Sequence, residues 1–78
     1  MQKNELLKKV GQRIQNLRVS QSLTQVDLVG KIQGDIDTTN ISRIESGRTN
    51  ATLYTLYRIA TALEVSLSDL INIDSEQN

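Results

Sequence analysis

Apolar side chains in this chain return every three or four residues and nowhere alternate one by one, which leaves helices as the elements able to bury them. Leu6, Leu7, Val10, Ile14 and Leu17 share one face of a first helix, with Asn4 as its expected N-cap and Glu5 in its first turn. That helix should fade over residues 19–22. Thr24 caps a second helix; Asp27, three residues on, can complete a capping box, with Leu28 and Ile32 as core contacts and Val29 on the flank. Asp37 caps a third, which runs through Ile41 and Ile44 to Gly47, a suitable C-terminal glycine. The fourth follows Thr52 and carries Leu53, Leu56, Ile59, Ala60 and Leu63. The fifth is short: residues 66–69 read as another capping box, followed by Leu70, Ile71 and Ile73.

One small domain is all that 78 residues support, and its core must be aliphatic, because the chain has no Phe or Trp and only Tyr54 and Tyr57. Without Cys there is no disulfide, and without His as well there is no ordinary zinc ligand set. A small chain short of core often gains it by oligomerising, so a dimer is expected. No apolar run approaches the roughly 20 residues of a membrane span, and residues 1–5 lack the apolar centre of a signal peptide. The expected location is therefore cytoplasmic, with no membrane partner. Residues 1–74 are read as the single domain and residues 75–78 as a polar tail.

Gly11 interrupts the first helix, where glycine costs about 1 kcal/mol relative to alanine. Close approach of another helix backbone accounts for it; no glycine-rich loop surrounds it to suggest a phosphate cradle. Catalysis finds no support elsewhere. The chain has no His, Cys or clustered carboxylate pair, so it is not expected to be an enzyme, and no cofactor is implied.

The zero net charge argues mildly against a nucleic-acid binder, but its distribution does not. Lys3, Lys8, Lys9, Arg13, Arg18, Lys31, Arg43 and Arg48 outnumber Glu5, Asp27, Asp35, Asp37 and Glu45, giving residues 1–50 a net +3. Arg58 against Glu64, Asp69, Asp74 and Glu76 gives residues 51–78 a net −3. A polarised molecule can turn its basic end to phosphates; a chance excess on a solvated surface is the alternative. The second helix, the polar stretch over residues 33–37 and the third helix together form the arrangement by which a chain presents side chains to the major groove.

Residues 11–18 (Gly-Gln-Arg-Ile-Gln-Asn-Leu-Arg), 23–25 (Leu-Thr-Gln), 41–47 (Ile-Ser-Arg-Ile-Glu-Ser-Gly) and 62–66 (Ala-Leu-Glu-Val-Ser) resemble the Cro/phage-repressor, XRE-type helix-turn-helix family. Four motifs in order, over residues 11 to 70, make the resemblance specific. It implies an all-α, compact five-helix lambda-repressor-like DNA-binding domain, with the helix-turn-helix at helices 2 and 3. In that fold the third helix, about residues 38–46, enters the major groove. Positions facing away from Ile41 and Ile44 then meet base edges, and the expected base contacts are Thr38, Thr39, Asn40 and Arg43. Arginine suits guanine, asparagine adenine, and a threonine methyl thymine. Gln25 corresponds to a family glutamine that bonds a phosphate. Ser46, Arg48, Thr49 and Asn50 correspond to a second phosphate-contacting segment, and Ser42 is placed with them. A solvated polar face is the alternative for each.

The resemblance also implies an ion pair, Arg18 with Glu45, that fixes the recognition helix, and Arg18 lies where a phosphate could also approach. In related regulators the last helix pairs two subunits, which would make Leu67, Leu70, Ile71 and Ile73 the dimer interface; otherwise these residues close the monomer core. Tyr54 and Tyr57 would flank that surface. The chain departs from the family pattern in a turn two residues longer around Gln33, Gly34 and Asp35. It also has Ser22 and Glu64 at frequent glycine positions and Ala51 at a frequent proline.

The expected function is a homodimeric, sequence-specific regulator of transcription bound to a pseudo-palindromic double-stranded DNA operator. Restriction–modification controllers, phage repressors and antitoxins all fit, with control through concentration, dimerisation or a protein partner. The alternative is a protein-interaction module, antitoxin-like or a coregulator, that uses the same fold with little direct DNA readout.

Overall fold

The computed structural model describes residues 1–73; the tail expected over residues 75–78 lies outside the described residues. Five helices follow one another: α1 (Lys3–Ser20), α2 (Gln25–Lys31), α3 (Thr38–Glu45), α4 (Leu53–Ala62) and α5 (Leu67–Leu70). No strand occurs among the described residues. Ile14, Leu28, Ile41, Ile59, Leu63 and Leu70 are fully buried at the centre, so every helix contributes to one core. Leu53 does not: as the first residue of α4 it stands beyond the core edge and is 68% exposed, while Ala62, at the other end of the helix, is buried.

Local chemistry sets the boundaries. Thr24 Oγ1 accepts the Asp27 N–H at 3.0 Å and the Asp27 carboxylate accepts the Thr24 N–H at 2.9 Å, a complete capping box. Asp37, Thr52 and Ser66 each accept a backbone N–H three residues on and open α3, α4 and α5. At Ser66 only half of the expected box forms, because Asp69 does not return the bond. α1 begins two residues earlier than an Asn4 cap would place it. Gln2 is the N-cap, and its carbonyl accepts the Leu6 N–H at 3.0 Å, which draws Lys3 and Asn4 into the helix.

Three helices end in the same way. After α1 the Leu23 N–H bonds the Arg18 carbonyl and the Ser22 N–H that of Val19; Arg48 and Gly47 do likewise after α3, and Val65 and Glu64 after α4. These are Schellman closures, which need a left-handed residue at the turn. Gly47 supplies it at φ +77°, but Ser22 and Glu64, both at φ +61°, adopt it with a side chain.

α3 lies between α1 and α2, and α4 packs on α2 and α5. Gly11 is buried where α1 crosses the end of α3, and a Cβ there would run into the Ile44 and Glu45 carbonyls. α5 is fixed to α1 by Arg13 Nε, which donates to the Asp69 carbonyl at 3.0 Å. This seating corrects one expectation about the dimer surface. Leu70 is wholly enclosed in the monomer core and cannot meet a second subunit, because the single turn of α5 directs it inward while Ile71 faces out. Leu67 is half-buried against the core; Ile73 and Ile71 border a shallow apolar groove with Leu6, Leu7, Val10 and Leu56.

Candidate nucleic-acid interface

α3 has an inward and an outward side. Ile41, Ile44 and Glu45 are buried, while Thr39, Asn40, Arg43 and Ser46 are exposed. The first-turn residue of α2, Gln25, borders one open polar concavity with Thr38, Thr39, Ser42, Arg43 and Arg48. Six of the expected contact residues, from two helices and the segment after α3, therefore share one face. Thr49 and Asn50 stand on the other flank of Arg43 in a recess that also holds Asn40, Asp35 and Arg58. Asn40 is thus set apart from the threonines, towards the acidic turn.

Behind this face runs a charged network. Arg18 Nε donates to Glu45 Oε2 at 2.7 Å and Nη2 to Oε1 at 3.0 Å, a two-pronged pair in which both residues are more than nine-tenths buried. Arg18 Nη1 donates to the Leu23 carbonyl at 2.7 Å, so one guanidinium joins α1, the approach to α2, and α3. The hydrogen bond to Glu45 raises the Arg18 pKa, against the opposing effect of burial. Gln25 Nε2 also donates to Glu45 Oε1, at 3.1 Å, which fixes the amide at the edge of the concavity. Glu45 is neutralised from within, and no bare carboxylate on α3 confronts an approaching phosphate.

The segment after α3 is similarly held. Ser46 Oγ donates to the Arg43 carbonyl at 3.1 Å and accepts from Arg48 Nε at 2.9 Å, leaving the Arg48 terminal amines outward. On the far side of α3, Asp37 is occupied as the cap and accepts the Asn40 N–H at 2.8 Å. Asp35 is exposed in the lengthened turn.

Arg58 was not anticipated as part of this region. From α4 its Nη1 donates to the Gln33 carbonyl at 2.9 Å, Nη2 reaches Thr55 Oγ1 at 3.4 Å, and the guanidinium lies 5.2 Å from the centre of the Tyr54 ring. Nothing local in the sequence connects residues 25 positions apart. The available signal was indirect: a long polar turn with glycine at its centre needs a partner from elsewhere.

The helix-turn-helix family HTH_3 matches residues 14–70. Comparison with curated proteins gives no match. Among solved structures, the restriction-modification controller protein C.AhdI from Aeromonas hydrophila is 31% identical, with a TM-score of 0.77 over 82% of this chain and 94% of that one. An HTH_3 family transcriptional regulator from Vibrio cholerae has a TM-score of 0.84 at 24% identity, over 96% of this chain and 41% of its own. A hypothetical transcription factor, NHTF, from Neisseria has 0.82 at 24%, over 97% and 85%. The last two are similar in fold. The match over most of the chain, and the likeness to the controller protein over most of both chains, agree with the capped helices and the buried pair: the chain belongs to the XRE-type helix-turn-helix family HTH_3 and is a DNA-binding regulator of transcription, not an enzyme.

Proposed function

We propose that the protein is a homodimeric, sequence-specific operator-binding regulator that inserts α3 into the major groove of a pseudo-palindromic site. The observation that carries this is the shared face of Gln25, Thr38, Thr39, Ser42, Arg43 and Arg48. On it Arg43 offers a planar fork suited to guanine, and Thr38 and Thr39 offer methyl and hydroxyl groups to thymine or to either base edge. Asn40 reads a base at the margin. Gln25 gives one amide proton to Glu45 and retains the other for a phosphate oxygen. Arg48, Ser42, Ser46, Thr49 and Asn50 bound the groove as phosphate contacts, which set register without reading sequence.

The dimer reading rests on Ile71, Ile73 and Leu67, with Leu70 removed from the set. Ile71 is 41% exposed beside the similarly exposed Leu6 at an apolar groove. Two copies joined there would read half-sites about one helical turn apart. Likeness to a restriction-modification controller along nearly the whole of that protein supports a controller of comparable size. No described helix is long and apolar enough to cross a membrane, and a cytoplasmic location follows from the proposed role.

Selection of bound duplexes from a random pool, repeated with Arg43→Ala, tests this reading. The expected result is a symmetric consensus that relaxes at one position per half-site in the variant. Absence of enrichment would instead favour the interaction module, which the exposed Asp35 beside α3 would suit.

A further inference from the structure

We propose that Arg58 is a positioning residue for DNA reading: its guanidinium clamps the lengthened α2–α3 turn and thereby sets where α3 lies over the bases. This rests on the operator reading above. Ile32 closes α2 within the core and Asp37 caps α3, but Gln33, Gly34 and Asp35 between them are exposed, and only Ile36 is half-buried. Among the described residues, the hydrogen bond that reaches residues 33–36 is the one from Arg58 Nη1 to the Gln33 carbonyl.

The clamp is itself rooted. Arg58 belongs to the helix whose Ile59 and Ala60 are buried, and Thr55 and the Tyr54 ring hold its guanidinium from the same helix. The turn is fitted to it: Gly34 stands at φ +101°, and a Cβ there would collide with Arg58 Nη1. Arg58 Nε is buried and has no hydrogen-bond partner among the described residues, so the guanidinium engages the turn through Nη1. Arg58 is absent from the concavity that gathers Gln25, Thr38, Thr39 and Arg48, and lines the recess on the other flank of Arg43 with Asn40, Thr49 and Asn50. A turn free to shift would carry the Asp37 cap, and with it the reading end of α3.

The test compares full-length wild type with Arg58→Ala on the selected operator and on a random duplex, over a range of salt and below the melting temperature. The expected result is operator affinity lower by roughly tenfold, random-duplex affinity within about twofold, and an unchanged salt slope. Equal losses on both duplexes, with a shallower slope, would make Arg58 a phosphate contact and overturn the proposal. A lower melting temperature with an unchanged operator-to-random ratio would make it an ordinary structural residue and overturn it equally. Should Arg58→Ala fail to fold, Arg58→Met keeps the stem packed on α4 and removes the donor to the Gln33 carbonyl. It should lower the same ratio, and an unchanged ratio overturns the clamp. A wild type that selects no operator refutes the operator reading first, and the clamp's role in reading with it.

Discussion

Gly11 lies against the C-terminal end of α3 so closely that a Cβ on it would stand 2.5 Å from the Glu45 carbonyl oxygen. This contact lets α1 cross α3 at backbone distance, and two turns further along α1 Arg18 reaches the Glu45 side chain. Alanine at position 11 would gain about 1 kcal/mol in helix propensity. It would also force the two backbones apart, an overpacking that costs about 1–3 kcal/mol or more. Gly11→Ala is expected to lower the urea midpoint; an unchanged or higher midpoint would mean that the crossing can relax.

Arg18 and Glu45 are useful to the fold only together. Arg18→Ala leaves the Glu45 carboxylate buried and should cost roughly 3–5 kcal/mol. The double substitution Arg18→Met with Glu45→Leu removes both charges and should recover much of that loss. Recovery will be incomplete, since the Leu23 carbonyl and the Gln25 amide each lose a partner. Denaturant unfolding of both variants decides the matter: a double variant no more stable than Arg18→Ala would show that the pair does not act as a unit.

Ser22 and Glu64 carry left-handed backbone that the Schellman closures of α1 and α4 require. A residue with a Cβ pays roughly 1–2 kcal/mol for that conformation, partly balanced by the greater freedom glycine has when unfolded. Ser22→Gly and Glu64→Gly are each expected to stabilise the protein by about 0.5–1 kcal/mol. Thermal melts of the two variants should both shift upwards.

Arg48 is the outward cation of the segment after α3, steadied by Ser46. If it meets a phosphate, Arg48→Ala will weaken operator and random duplex alike and reduce the salt slope by about one. A loss confined to the operator would place it on a base instead.

Helices, the caps of α2 to α5 and the α1–α3 crossing were legible because each is a short-range pattern: an oxygen-bearing cap, an apolar period, a glycine where none is needed locally. Ser22 and Glu64 were visible as departures, although only the backbone reveals that both keep the glycine conformation. Leu70 was misplaced because a four-residue helix has too little periodicity to say which leucine faces inward. Arg58 was missed for a related reason, since its partner is a backbone carbonyl on a distant turn and leaves no mark on neighbouring residues. The same limit separates Asn40 from Thr39: adjacent in sequence, they fall on opposite flanks of Arg43.

Acid should loosen α2 at its start, where Gln25 meets the proposed phosphate. The backbone N–H of Thr24 first, and its hydroxyl second, hold the Asp27 carboxyl below its usual range. A carboxylate with a lowered folded pKa contributes stability that is complete above its unfolded value, about 3.9, and is lost as pH falls through the folded one. Arg18, raised by its bond to Glu45, remains a cation throughout this range and adds no dependence of its own. The melting difference between wild type and Asp27→Asn cancels titrations common to both proteins. It should be constant from neutral pH to about 5 and shrink once the pH falls below the unfolded carboxylate value and on through the lower folded one. A difference that stays constant to pH 2 would mean that charge on Asp27 has no part in the cap.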